Sequence, residues 1–188
     1  MRRTGLRVLG NAPWGRHFAL FYETKDDLLE ICVPYLTAGL ESNECCAWVI
    51  SDPLTERDAT AALRRAVPAL DRHLAERRLE ILQSRAWYFT GDTPDLQKVA
   101  RGWEAKLADA LGRGHDGLRV AASAPALEDK DWDGFLDYEA KLNAWVADKA
   151  MLVLCAYPLR AGRPADILRV ARTHPSAVVK RDGEWEAR

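Results

Sequence analysis

A carboxylate in the middle of an apolar helical stripe is the feature of this sequence that most calls for a chemical explanation. Trp132, Phe135, Leu136, Leu142 and Val146 recur at helical spacing. At about 100° per residue, Glu139 falls near the centre of the stripe they define, with Asn143 one turn on along the same side. A carboxylate turned into a core needs a partner. Arg119, alternating with Leu118 and Val120 on a predicted strand, is the expected one, with the hydroxyl of Tyr22 or Tyr157 as the alternative. Two roles fit: an ion pair pinning helix to sheet, or a polar anchor at the base of a pocket.

The remaining chemistry-bearing residues are scattered. His17 opens a predicted strand and His174 precedes Pro175, but neither belongs to a cluster with metal-ligand spacing, so zinc is not expected. Cys32, Cys45, Cys46 and Cys155 form no C-x-x-C pair. Adjacent strand residues point to opposite faces, so Cys45 and Cys46 read as buried thiols rather than a vicinal disulfide. The chain has no G-x-S-x-G elbow, no H-E-x-x-H motif and no set of residues resembling a triad. A phosphate-binding loop needs glycines and a Lys followed by Ser or Thr. The first βα turn, Glu23-Thr24-Lys25-Asp26-Asp27, has no glycine, and its three carboxylates would repel a triphosphate. A nucleotide-binding enzyme is therefore the least favoured reading.

These residues must be positioned by strands alternating with helices. Strands are predicted at His17–Tyr22, Cys45–Ile50, Leu79–Leu82, Gly117–Ala122, Met151–Ala156 and Ala177–Lys180, and Asp182-Gly183 could turn a hairpin towards Trp185. Thr24 with Asp27 resembles a capping box opening a helix that Pro34 should kink and Gly39 should stop. Further helices are expected to about Ala66, around Leu70 to Glu76, from Pro94 to Gly112, from Asp131 to about Ala147, and near Pro164 to Ala171. Arg85 to Asp92, with Trp87, Tyr88 and Phe89, reads as a loop. The pattern predicts an α/β fold: a three-layer, mainly parallel sheet covered by helices on both faces. In such sheets ligands bind beyond the carboxyl ends of the strands. Tyr22, Asp52, Ser123 and Tyr157 fall there, and Trp87 and Tyr88 follow another strand.

Composition narrows the function. The 188 residues are 48% hydrophobic and 29% charged, an ordinary globular balance for one domain. With 27 basic and 28 acidic side chains the net charge is −1, so direct nucleic-acid binding, which draws on a basic surplus, is not expected. The longest apolar run, Ala150 to Tyr157, falls far short of the ~20 residues that span a bilayer. No secretory signal follows Arg2, Arg3 and Arg7, and the cysteine usage suits a reduced, cytoplasmic protein. The expected organisation is an N-terminal extension over residues 1–16 and a single domain over 17–188, with no attached output segment.

An ordered set of short motifs carries a family resemblance: His17-Phe-Ala-Leu-Phe-Tyr22, Pro34-Tyr35-Leu36 with Ala38-Gly39-Leu40, Trp48-Val49-Ile50-Ser51-Asp52-Pro53, Trp87-Tyr88, Gly117-Leu118-Arg119-Val120, Tyr138-Glu139-Ala140-Lys141-Leu142-Asn143, Leu154-Cys155-Ala156-Tyr157 and His174-Pro175. Over about His17 to Val179 the chain resembles the MEDS domain, the methanogen/methylotroph DcmR sensory domain. The resemblance implies a degenerate KaiC/RecA-type core without a phosphate loop. It also implies a sensory role in prokaryotic signalling or transcription regulation, directed at small hydrocarbon-derived ligands. It places His17, Tyr22, Tyr88, Arg119, Glu139, Asn143, Tyr157 and His174 among the functional positions, and Trp87 joins them as an aromatic wall. The expectation is a stand-alone, non-enzymatic module with no cofactor, reporting a small organic ligand through a signalling or transcription-regulatory protein partner. The alternative is a ligand-free interaction regulator, of anti-sigma or similar type, on the same fold.

Overall fold

The computed structural model describes residues 1–159 and 164–188, the side chains of Asp129 and Pro164 aside. The elements in chain order are β1 (Arg2–Arg3), β2 (Asn11–Ala12), β3 (Arg16–Tyr22), α1 (Lys25–Glu41), β4 (Cys45–Ile50), α2 (Glu56–Ala66), α3 (Leu70–Ala75), β5 (Leu79–Gln83) and α4 (Ser84–Tyr88). They continue with β6 (Phe89–Thr90), β7 (Thr93–Pro94), α5 (Leu96–Gly112), β8 (Leu118–Ser123), a 3-10 turn at Asp129–Asp131, α6 (Trp132–Val146), β9 (Met151–Pro158), α7 (Pro164–Thr173), β10 (Ser176–Arg181) and β11 (Glu184–Ala187).

Seven strands form one sheet in the order β11-β10-β3-β9-β8-β4-β5. Six are parallel; β11 returns antiparallel to β10 through Asp182 and Gly183, both at positive φ as a tight hairpin turn requires. The three-layer, mainly parallel arrangement with a C-terminal hairpin is the one the alternating pattern predicts.

The sheet separates two apolar cores. On one face α1 and α2 bury Leu28, Tyr35, Leu36 and Leu63 against Leu20, Trp48 and Leu154. On the other, α5 and α6 bury Trp103, Phe135, Leu136 and Val146 against Ala19, Val120 and Val153. Strand alternation assigns the residues: Cys46 faces the first core and Cys45 the second. All four cysteines are free and buried.

Three local expectations change. Helix α1 runs on through Pro34 and past Gly39 to Glu41. Gly39 is no stop. A Cβ there would lie 2.8 Å from Cδ and Nε of Arg119 and from Sγ of Cys46, so the glycine opens the space through which the arginine passes. The segment read as a loop contains a short helix, α4, followed by the β6–β7 hairpin. Five residues are too few to show a helical period, and tertiary packing decides the conformation. Finally, β1 and β2 pair as a hairpin that short sequence patterns did not reveal. The loop that joins the two strands docks on the first core through Leu6.

Candidate functional site

A cleft of about 1080 Å³ lies at the carboxyl ends of the strands. Its walls come from Tyr22 at the end of β3, Ile50 at the end of β4 with Asp52 just beyond it, Ala124 after β8, Tyr157 on β9, and Trp132 at the start of α6. This is where an open α/β sheet places ligands. Burial raises the Tyr22 pKa to about 12, so its phenol stays neutral. Beside the cleft, the N-terminus of α1 is closed by the chain itself. Thr24 Oγ1 accepts from the Asp27 amide, while the Asp27 carboxylate accepts from the amides of Thr24 at 2.9 Å and Glu23 at 3.1 Å. Lys180 Nζ donates to the same carboxylate at 3.0 Å. Burial alone would raise the Asp27 pKa, but these donors outweigh it and lower it. An internal anion thus occupies amides of the kind that elsewhere bind phosphate.

Glu139 is fully buried and faces the sheet from α6, as its place in the stripe requires. Its partner is not Arg119. Instead its Oε2 lies 3.4 Å from Nε2 of His17 and 3.4 Å from Nε2 of His174. His17 Nε2 is also 3.2 Å from Sγ of Cys155. The His17 and Cys155 side chains share a face because β3 and β9 run parallel with Ala19 opposite Cys155, two residues beyond His17. The two imidazoles pack with ring centroids 4.1 Å apart. His174 is oriented from behind, its Nδ1 lying 2.8 Å from the Val170 carbonyl oxygen.

The contacts to Glu139 are close but poorly aligned as hydrogen bonds. Both of its oxygens, together with His174 Nε2 and the Tyr157 hydroxyl, are buried without a hydrogen-bond partner. Each such atom typically costs about 1–3 kcal/mol. Burial by itself would raise the Glu139 pKa; attraction to His17 and His174 outweighs it and holds the carboxyl at about 2. Burial pulls His17 down, against the pull of Glu139. Burial and the Glu139 charge together push the Cys155 thiol and the Tyr157 phenol well up. Donor atoms of His17, Glu139, Cys155 and His174 all lie within 4.8 Å of one another, the one such group of potential metal ligands among the described residues. The expectation that neither histidine joins a metal-type cluster rested on spacing along the chain, and the fold overrides it.

Arg119 sits on the opposite face of the sheet, also fully buried. Its Nε and Nη2 donate to Glu44 at 2.7 and 3.0 Å, Nη1 to the carbonyls of Thr4 and Tyr35, and Nη2 to that of Arg3. All five guanidinium N–H groups are used. Glu44 accepts a further bond from Arg2 Nε at 2.8 Å. The Arg119–Glu139 pairing expected from the sequence is therefore replaced by two separate groups.

Of the other predicted residues, Tyr22 and Tyr157 line the cleft. Tyr157 also meets His174 edge-on, with centroids 5.6 Å apart, so it touches both cleft and cluster. Trp87 instead packs against Trp103, ring centroids 4.3 Å apart and planes inclined at 50°, and covers Gly102, where a Cβ would come within 2.6 Å of its ring. Tyr88 is buried against Phe135. Asn143 is half-buried one turn beyond Glu139, outside the cleft lining. Sequence reasoning missed Cys155 and Glu44 as members of these groups. Cys155 had a usable signal, its strand parity with Tyr157; Glu44, in a turn, had none.

The strand order and the two helical layers define a RecA/KaiC-like α/β domain. Two solved structures share it: the flagellar accessory protein FlaH of Methanocaldococcus jannaschii (TM-score 0.60, 11% identity, 96% of this chain and 79% of that one) and a KaiC-like protein of the archaeon Pyrococcus horikoshii OT3 (TM-score 0.65, 13% identity, 98% and 84%). At these identities the likeness concerns the fold alone. Residues 16–175 match the model of MEDS, the MEthanogen/methylotroph, DcmR Sensory domain, and the chain belongs to that family of sensory domains. No curated protein matches it in sequence. No helix among the described residues is long and apolar enough to cross a membrane.

Proposed function

We propose that this chain is a cytoplasmic sensory module that takes a small, largely apolar organic molecule into the cleft at the carboxyl edge of the sheet. It would report occupancy to a signalling or transcription-regulatory protein. The observation that carries this reading is the cleft itself: about 1080 Å³, with aromatic walls from Phe21, Tyr22, Trp132 and Tyr157 and polar or charged side chains that include Ser51, Asp52, Arg85 and Lys130. Concave sites of this size that combine apolar walls with placed polar groups are typical of small-molecule binding. Membership of a sensory family points the same way. The reading assigns binding rather than catalysis, supported by the Asp27 carboxylate seated on the Glu23 and Thr24 amides just before α1, where a nucleotide phosphate would compete with it.

A thermal-shift screen of small organic compounds, one-carbon and halogenated ones included, tests the proposal. A ligand at 100 times its dissociation constant adds about 2.7 kcal/mol to stability. A stabilising compound whose effect is lost in Tyr22→Ala supports the cleft. A broad screen without a shift, together with partner capture that is indifferent to small molecules, would instead favour the ligand-free interaction regulator. ATP hydrolysis by the purified chain would overturn the assignment to binding.

A further inference from the structure

We propose that His17, Glu139, Cys155 and His174 bind one divalent transition-metal ion, zinc by preference, at a closed four-ligand site behind the cleft. The donor set is two imidazole nitrogens, one sulfur and one carboxylate oxygen. That mixture suits borderline-soft first-row ions and is unsuited to magnesium or calcium, which prefer oxygen. Bond lengths near 2.0–2.3 Å imply edges of about 3.3–3.7 Å in a tetrahedron. Three of the six edges, 3.2 Å from His17 to Cys155 and 3.4 Å from each histidine to Glu139, lie close to that range, and every pair of ligand atoms lies within 4.8 Å.

The surroundings of the cluster point to a ligand as well. With Nδ1 of His174 donating to the Val170 carbonyl, its Nε2 is directed at Glu139, and in the neutral imidazole that atom carries the lone pair a metal would take. This is the arrangement by which proteins fix the tautomer of a metal-bound histidine. Glu139 Oε1, Glu139 Oε2 and His174 Nε2 are buried and without hydrogen-bond partners, although Arg119, equally buried, satisfies every donor. A dication would give Glu139 Oε2 and His174 Nε2 a common partner. Charge closes as well: a carboxylate, a thiolate and two neutral imidazoles balance a dication, with the thiol proton released to solvent on binding. The ligands come from β3, α6, β9 and the turn after α7, so the ion would tie α6 and the α7–β10 turn to the sheet. This inference does not depend on what fills the cleft.

The purified full-length chain, stripped with a strong chelator, is titrated with cobalt(II). Saturation at one ion per chain is expected, with a thiolate-to-cobalt charge-transfer band in the near ultraviolet and the intense visible bands of a four-coordinate ion; zinc should then displace it. The charge-transfer band should vanish in Cys155→Ser and persist in Cys32→Ala, whose thiol lies in the opposite core. X-ray absorption on the zinc-loaded wild type needs no variant and should show a mixed nitrogen, oxygen and sulfur shell. A wild-type chain that takes up neither metal stoichiometrically, or a shell without sulfur, would overturn the site. So would a charge-transfer band that survives in folded Cys155→Ser.

Discussion

The two faces of the sheet each bury an acidic side chain among cationic or titratable partners, and they resolve the problem differently. On the α1 face, Arg119 and Glu44 form a two-point pair whose remaining guanidinium donors reach three backbone carbonyls. On the α6 face, Glu139 lies among His17, His174 and Cys155 with neither oxygen in a well-formed hydrogen bond. A fully satisfied buried pair is finished structure: it pins α1, β8 and the N-terminal segment together. The Glu139 cluster is polar, buried and incompletely paired, the condition expected of a group that takes a further ligand.

The sharpest way to break this comparison is to remove one member of the finished pair. Arg119→Ala leaves Glu44 buried without its main counter-charge and should cost about 3–5 kcal/mol, read as a lowered urea midpoint. Arg119→Ala combined with Glu44→Ala should cost less than the two single changes summed. Arg119→Ala combined with Glu139→Gln should instead be additive to within about 0.5 kcal/mol, because the two share no partner. Marked coupling between them would contradict the division into two groups.

Glu139→Gln should destabilise by a smaller amount, about 1.5–3 kcal/mol, the scale of interactions with a charged group. The cost should be larger in metal-replete buffer than with chelator present, measured by denaturant unfolding in each. An equal cost in both would reduce the cluster to a structural contact.

Gly39→Ala tests how tightly the finished side is packed. In an ordinary helix interior the change gains up to about 1 kcal/mol. Here the new Cβ meets Arg119 and Cys46 at 2.8 Å, so a loss of about 1–3 kcal/mol is expected, as for overpacking elsewhere. Calorimetry giving a raised Tm would contradict the close approach.

The smallest effect concerns the closed turn before α1. Thr24→Ala should cost about 1 kcal/mol, as loss of a helix cap does. The Asp27 pKa is lowered on folding. Its contribution is therefore complete above the unfolded carboxylate value and fades as pH falls through the folded one. Asp27→Asn should flatten that acid limb in stability measured against pH, and an unchanged limb would show that the carboxylate is not held by the turn.

Periodicity alone determined much of this molecule. The continuous apolar runs at His17–Tyr22 and Met151–Ala156, alternating with helical segments, were enough to place a mainly parallel, doubly covered sheet, and the helical stripe of α6 was enough to bury Glu139, because burial of a side chain follows from its phase along a single element. The acidic, glycine-free turn likewise foretold that α1 would not present a bare phosphate site. Partnership is a different matter. Arg119 and Glu139 were each correctly read as buried, yet they face opposite cores, since the parity of Arg119 on β8 turns it towards α1. His17, Glu139, Cys155 and His174 are far apart in the chain, and only the placing of β9 next to β3, with α6 across both, brings them together. Trp87 and Tyr88 were placed by type at a strand end, but packing on Gly102 and Phe135 draws them away from the cleft. Local phase is written in neighbouring residues; which buried groups meet is set by strand order and register, and those the tertiary structure decides.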